Sequence, residues 1–247
     1  MHKTSTGYWR TFLALSLCGN LIVGIYGAHK MYVTMRKRAD RALIEAAFVE
    51  PPNNQPYFLG RDQVFRSMPV DSGALIFLGN SLTQQCEFAE LFPNKKILNR
   101  GIVADVTDGV LARLDEVCRH TPSKVFLEIG INDLLIGRTL TSTQQTLAAI
   151  VTSLQQKSPS TTIFLQSLLP TNNMSVNRSS SLPDTIVAYN TFLKKIALEK
   201  KCVYVDLYTP FCNNRALDKR YDCGDGLHLS GAGYLLWRDC IKEYVLQ

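Results

Sequence analysis

The sequence has little with which to hold a metal or a nucleic acid. Its 247 residues include four histidines and seven cysteines, and no two cysteines have the spacing of a metal-binding pair. No cysteine-pair metal site is therefore expected. A basic surplus is missing from most of the chain. Residues 1–49 carry seven Lys/Arg against two acids, +5 of the net charge of +6, which leaves the remainder near neutral at +1. A nucleic-acid groove needs a basic face, so that class of partner is excluded. Charge is absent altogether between Thr11 and Ala28, TFLALSLCGNLIVGIYGA, where Asn20 is the one strongly polar residue.

What is present divides the chain into three parts. A helix of about 20 apolar residues crosses a bilayer. The Thr11–Ala28 stretch, with Lys3 and Arg10 before it and Lys30 after it, is read as an N-terminal membrane-spanning helix within residues 1–30. A cleaved signal peptide is the alternative, although Ile25 and Tyr26 stand where small residues are wanted before a cut. Arg36, Lys37, Arg38 and Arg41 follow the span, which is the pattern of a cytoplasmic flank. We nevertheless read the following domain as exported, since long domains cross despite flanking charge. Residues 31–56 read as a juxtamembrane helix and linker, ended by the breaker cluster Pro51-Pro52-Asn53-Asn54. Residues 57–247 read as one domain.

Within that domain, apolar runs alternate with helical periodicity. Strands are expected at ALIFLG from Ala74, KILN from Lys96, KVFLEIG from Lys124, TIFLQSLL from Thr162 and CVYVDL from Cys202. Helices are expected over Thr107–His120, Ser142–Gln156, Asp184–Lys200 and Ala232–Leu246. Near-continuous apolar strands separated by helices form a mainly parallel sheet covered on both faces. The fold class is therefore α/β, a three-layer sandwich with about five parallel strands.

Such sheets bind ligands at the carboxyl ends of their strands. The first strand ends in Gly79-Asn80-Ser81-Leu82-Thr83, the second in Asn99-Arg100-Gly101-Ile102 and the third in Gly130-Ile131-Asn132-Asp133. Asp225-Gly226-Leu227-His228 precedes the last helix. Each segment alone has a plain reading as a turn or helix cap. Together they hold a nucleophile, a base and its orienter. A serine hydroxyl is a weak nucleophile near neutral pH and needs a base within hydrogen-bond reach. His228 suits that role beside Ser81, while His2 and His29 flank the apolar span and His120 ends a helix. Asp225 can hold the other imidazole nitrogen. The backbone N–H groups of Ser81 and Gly101 and the side-chain amide of Asn132 are the candidate oxyanion donors.

These blocks resemble those of the SGNH hydrolases of the GDSL esterase superfamily. The four naming residues fall on Ser81 in GNSLT, Gly101 in NRGI, Asn132 in GIND and His228 in DGLHLS, with Asp225 at the triad-acid position. Stretches such as AELFPNKKILNRGI and DGLHLSGAGY are most similar to platelet-activating-factor acetylhydrolase-like and sialate O-acetylesterase-like members. The resemblance covers residues 57–247. It implies a flavodoxin-like fold and hydrolysis of small acyl esters through an acyl-serine, without a metal. One departure stands out: Asn80 occupies the aspartate position of the name-giving motif.

Nineteen residues separate Ser81 from Gly101, too few for a lipase-like lid, and Gln84, Gln85, Arg100, Asp105, Asn172 and Asn173 lie near the strand ends. A long acyl chain wants an apolar groove, so an acetyl group on a carbohydrate or cell-envelope glycan is the expected substrate. The alternatives are a membrane-anchored O-acetyltransferase, a lipid or short-chain acyl esterase, and a non-catalytic glycan-binding domain. The sequence assigns no oligomeric state.

Overall fold

The computed structural model describes residues 26–35, 55–172 and 181–247. The chain divides into two compact units, Met1–Ala46 and Ala47–Gln247. In the first, residues 26–35 form helix α1. Residues 11–25 of the expected membrane span, and 36–54 of the expected juxtamembrane helix and linker, lie outside the described residues. Among the described residues no helix is long and apolar enough to cross a membrane.

The second unit opens with α2 (Pro56–Ser67) and then alternates: β1 (Leu75–Gly79), α3 (Ser81–Gln84), α4 (Phe88–Leu91), β2 (Ile97–Gly101), α5 (Thr107–Ala112), α6 (Leu114–Cys118), β3 (Lys124–Glu128) and α7 (Ile131–Leu135). It continues with α8 (Leu140–Lys157), β4 (Thr162–Gln166), α9 (Leu182–Glu199), β5 (Val203–Val205), α10 (Tyr208–Phe211), β6 (Cys212–Asn213), β7 (Ala216–Leu217) and α11 (Gly231–Leu246). The five main strands are parallel, in the order β2-β1-β3-β4-β5. This is the doubly wound arrangement, with its switch point beside β1. The expected three-layer sandwich and five strands are therefore present.

Alternation along the buried strands sends successive side chains to opposite faces. Ile76, Leu78, Val125, Leu127, Ile163 and Leu165 pack against α5, α6, α8 and α9. Leu75, Phe77, Phe126, Phe164 and Val205 pack against α4, α10 and α11. Register places Phe77 beside Phe126 and Phe126 beside Phe164, and the rings stack at centroid separations of 4.7 and 4.4 Å. Phe88 stacks on Phe77, and Trp237 of α11 meets Phe88 edge-on. Trp237 Nε1 donates to Gln166 Oε1 at 2.8 Å. These contacts seat α11, and the loop that enters it, against the strand that leads to the serine.

Besides α2 and the short helices, which were not expected, the structure departs from the sequence expectations at a broken helix and at a hairpin. The helix expected over Thr107–His120 breaks at Arg113, whose backbone (φ −109°, ψ 12°) caps α5 and opens α6. Its side chain turns inward to carbonyl and carboxylate oxygens, a set of partners that displaces regular helix geometry. The hairpin of β6 and β7 went unforeseen because its turn residues, Asn214 and Arg215, both have positive φ, and only Asn signals such a turn.

Candidate active site

The apolar strand β1 ends at Gly79, a position where a side chain has no room. A Cβ would lie 2.3 Å from Thr83 Oγ1 and 2.4 Å from the Glu128 carbonyl. Asn80 then caps α3, its Oδ1 accepting from Leu82 N–H at 2.9 Å. Ser81 is the first residue of that helix, so its N–H has no partner within the helix. The side chain is largely buried, with 7% of the residue exposed.

His228 and Asp225 come from the loop before α11. Ser81 Oγ lies 2.9 Å from His228 Nε2, and His228 Nδ1 lies 2.6 Å from Asp225 Oδ2. Asp225 Oδ1 accepts from the backbone N–H groups of Leu227 and His228 at 2.9 and 2.8 Å. Partial burial pushes the Asp225 carboxyl up. The His228 side chain and these backbone donors outweigh that and hold it well below the usual carboxylate range. An ionised Asp225 accepts a hydrogen bond from Nδ1–H, which keeps the ring proton on Nδ1 and leaves Nε2 as the acceptor toward Ser81. The loop is stitched in turn by Asp222, whose Oδ1 accepts from Gly224 and Gly226 N–H while Oδ2 accepts from Asn172 Nδ2 at 2.6 Å. Asn172 thus ties the connection after β4 to this loop. The neighbouring Asn173 lies outside the described residues.

Asn132 sits in the first turn of α7 and is 3% exposed. One Nδ2 hydrogen goes to the Asp105 carbonyl at 2.8 Å, and a second remains, since the amide nitrogen carries two. Gly101 packs directly on α3, where a Cβ would meet Gln84 N at 2.2 Å. Its N–H already has a partner, Asn99 Oδ1 at 2.9 Å, and Asn99 Nδ2 binds the carbonyls of Thr83 and Cys86. Of the three expected donors, Gly101 is therefore the one committed to another acceptor.

The polar residues expected around the site divide. Gln84 bridges the Tyr57 hydroxyl and Val103 N–H, and Gln85 is exposed. Arg100 and Asp105 do not line the site. Arg100 is buried against Glu116 and His120, and Asp105 against Arg113. Arg113 carries no motif signal, being one of 27 basic residues, and was missed. His120 accepts from Asp71 N–H at Nδ1 and meets Glu116 at Nε2, so it is occupied structurally. Among the described residues, Asp222, Cys223 and Asp225 lie close enough to share a cation. A cation there would compete for the carboxylate oxygens that hold the loop and His228. Cys212 and Cys223 are separate free thiols.

Glu128, at the end of β3, is fully buried with neither carboxyl oxygen hydrogen-bonded, and the Asn80 amide nitrogen is likewise without a partner. Burial pushes this carboxyl up to about 8, tempered by the nearby Asn80 amide. It is therefore mostly protonated at neutral pH, and an aspartate at position 80 would bring a second carboxylate to it. The folded protein holds the proton over a range in which an unfolded glutamate, of ordinary pKa 4.5, has lost it. Stability falls as pH rises from about 4.5 to about 8, by up to about 1.4 kcal/mol per pH unit from this group. Urea unfolding of Glu128→Gln across that range should show a flatter pH dependence than the parent. Parallel curves would mean that Glu128 does not carry the proton.

No curated protein matches the sequence. Among solved structures, a Streptococcus pneumonia protein assigned as a platelet activating factor is 28% identical. The alignment covers 85% of this chain and 99% of that one, at a TM-score of 0.70. A GDSL-like lipase from Bacteroides thetaiotaomicron is 21% identical over 76% and 97% of the two chains, with a TM-score of 0.69. A catalytic mutant of Axe2, an acetylxylan esterase from Geobacillus stearothermophilus, is 21% identical over 72% and 96%, with a TM-score of 0.58. The last two show a shared fold. Residues 77–236, from the strand that presents Ser81 to the helix beyond His228, match the GDSL-like lipase/acylhydrolase family; the chain belongs to that family and is a carboxylic ester hydrolase of the SGNH/GDSL type.

Proposed function

We propose that the enzyme hydrolyses small acyl esters, O-acetyl groups on a carbohydrate or cell-envelope glycan, through an acyl-Ser81 intermediate. The observation that carries the reading is the hydrogen-bonded relay from Ser81 Oγ through His228 to Asp225. Attack of Ser81 Oγ on the ester carbonyl carbon forms a C–O bond while its proton passes to His228 Nε2. Asp225 stabilises the imidazolium. The carbonyl oxygen becomes an oxyanion facing the Ser81 N–H and the free hydrogen of Asn132 Nδ2. Gly101 N–H joins them by sharing its proton between the oxyanion and Asn99 Oδ1. Collapse breaks the ester C–O bond, and the leaving alkoxide takes the proton from His228. Water then repeats the sequence: His228 takes its proton, the acyl–Ser81 bond breaks, and Ser81 Oγ recovers a hydrogen.

The preference for acetyl rests on the short connection between Ser81 and Gly101 and on the polar Gln84, Gln85 and Asn172 near the strand ends. An acetylxylan esterase with the same fold is a precedent for such a substrate. Residues 1–30 are proposed as the anchor, residues 31–56 as the juxtamembrane segment and 57–247 as the hydrolase domain, held outside the cytoplasm. The apolar Thr11–Ala28 stretch supports that layout.

Acetate release from O-acetylated oligosaccharides, and turnover of 4-nitrophenyl esters of increasing chain length, test the substrate. Turnover should be greatest for acetyl and fall by about tenfold or more by octanoyl, as a small site excludes added methylenes. A rise with chain length would make the enzyme a lipid acyl esterase. Acyl transfer only in the presence of a sugar acceptor would make it an O-acetyltransferase. Failure of a serine-reactive phosphonate to label Ser81 would favour a binding domain.

A further inference from the structure

Arg113 is buried at the break between α5 and α6, with its residue 1% exposed. Its Nη2 donates to the Arg100 carbonyl at 2.8 Å and the Gly79 carbonyl at 3.2 Å. Nη2 and Nε reach Asp105 Oδ2 at 2.8 and 3.0 Å. The remaining nitrogen, Nη1, is buried without a partner, so the charge is kept in the interior at a cost. Each acceptor belongs to a different part of the site. The Arg100 carbonyl is the other end of the peptide unit that carries Gly101 N–H, and a planar trans peptide fixes one end when the other is held. The Gly79 carbonyl closes β1, two residues before Ser81, and also accepts from Ile102 N–H. The backbone carbonyl of Asp105 accepts from Asn132 Nδ2. One guanidinium thus reaches all three donor segments, directly or through a single residue.

We propose that Arg113 is a positioning residue for the oxyanion site, its guanidinium locking the Gly101 peptide, the end of β1 and, through Asp105, the Asn132 amide into one preorganised set. The proposal rests on the reading of Ser81, Gly101 and Asn132 as oxyanion donors. The planar fork explains why arginine stands here. Lysine supplies a point charge and cannot hold a carboxylate and two carbonyls in a fixed plane. Gly109 supports the same arrangement, because a Cβ at that position would lie 2.0 Å from Asp105 Oδ1. A side chain there must displace the carboxylate that Arg113 grips.

The test uses the full chain with 4-nitrophenyl acetate, comparing Arg113→Lys, Gly109→Ala and Asn132→Ala, each checked for folding by circular dichroism. In Arg113→Lys, kcat should fall roughly tenfold to a hundredfold with KM within about twofold, since misplacement of distant supports acts on the transition state. The amide NMR signals of Gly101 and the Asn132 side chain should shift together, a readout that needs no turnover. A folded Arg113→Lys with unchanged kcat, a loss confined to KM, or unmoved signals overturns the proposal. If Arg113→Lys does not fold, Gly109→Ala must show the same kcat-selective loss and the same shifts, or the proposal fails. Wild-type kcat in Asn132→Ala would instead remove the oxyanion reading on which it rests.

Discussion

Ser81→Ala and His228→Ala are each expected to lower kcat by about a hundred-thousandfold to a millionfold, with the double variant no slower than either single one. The reason lies in the 2.9 Å contact between Ser81 Oγ and His228 Nε2. Alanine at 81 removes the atom proposed to carry the acyl group. Alanine at 228 leaves the hydroxyl intact but gives its proton no acceptor. Each loss disables the same step, so the two do not add. The residual rate should reflect substrate binding and the oxyanion donors, which neither substitution removes directly. The measurement is steady-state hydrolysis of 4-nitrophenyl acetate for the two single variants and the double one. Additive losses would mean that serine and histidine act in separate steps. A Ser81→Ala enzyme within tenfold of wild type would place the nucleophile elsewhere.

Asp225→Asn is expected to cost about ten-thousandfold in kcat while leaving KM nearly unchanged and lowering stability modestly, because an amide does not reproduce the charge-assisted bonds of the carboxylate. Asparagine is the informative substitution because its Oδ1 can still accept from Leu227 and His228 N–H, the bonds that shape the loop. What changes is the group facing His228 Nδ1. An amide NH2 there donates, so Nδ1 must accept and the ring proton moves to Nε2. The imidazole then presents a hydrogen to Ser81 instead of a lone pair. Because wild-type Asp225 is held well below the usual carboxylate range, it stays ionised at pH values where ordinary carboxylates begin to protonate. Loss of activity on mild acidification should therefore leave the Asp225 charge intact. Steady-state kinetics of Asp225→Asn, with circular dichroism of the loop and core, provide the check. A variant that loses KM or fold but retains kcat would assign Asp225 a purely structural role.

Much of the fold was legible because burial on both faces leaves a simple trace. ALIFLG, KVFLEIG and TIFLQSLL are apolar without alternation, and helical stripes separate them, so a covered parallel sheet is the arrangement that hides both faces of each strand. Long helices with one apolar stripe, such as α8 and α9, lie within two or three residues of their expected bounds. The break at Arg113 was not legible. Val110, Leu111, Leu114, Val117 and Cys118 keep helical spacing through it, and the cause is a set of oxygens from β1, β2 and the following loop that local periodicity cannot register. Arg100 and Asp105 misled for the same reason. A charged residue at a strand end reads as a rim residue until its buried partner, Glu116 or Arg113, is known.

The sequence by itself determined the residue types of the proposed catalytic relay and their order along the chain. A serine after a strand-ending glycine, an asparagine opening a helix, and an aspartate three residues before a histidine are local patterns, and local chemistry limits what can stand there. Only the tertiary structure decided how these groups meet. Ser81 and His228 are 147 residues apart, and packing of α11 on the aromatic face of the sheet sets their separation. The structure also decided that Gly101 N–H donates to Asn99 Oδ1, that Glu128 is enclosed beside Asn80, and that Arg113 joins three segments. Those facts depend on which oxygens become buried together, and burial is a property of the folded chain as a whole.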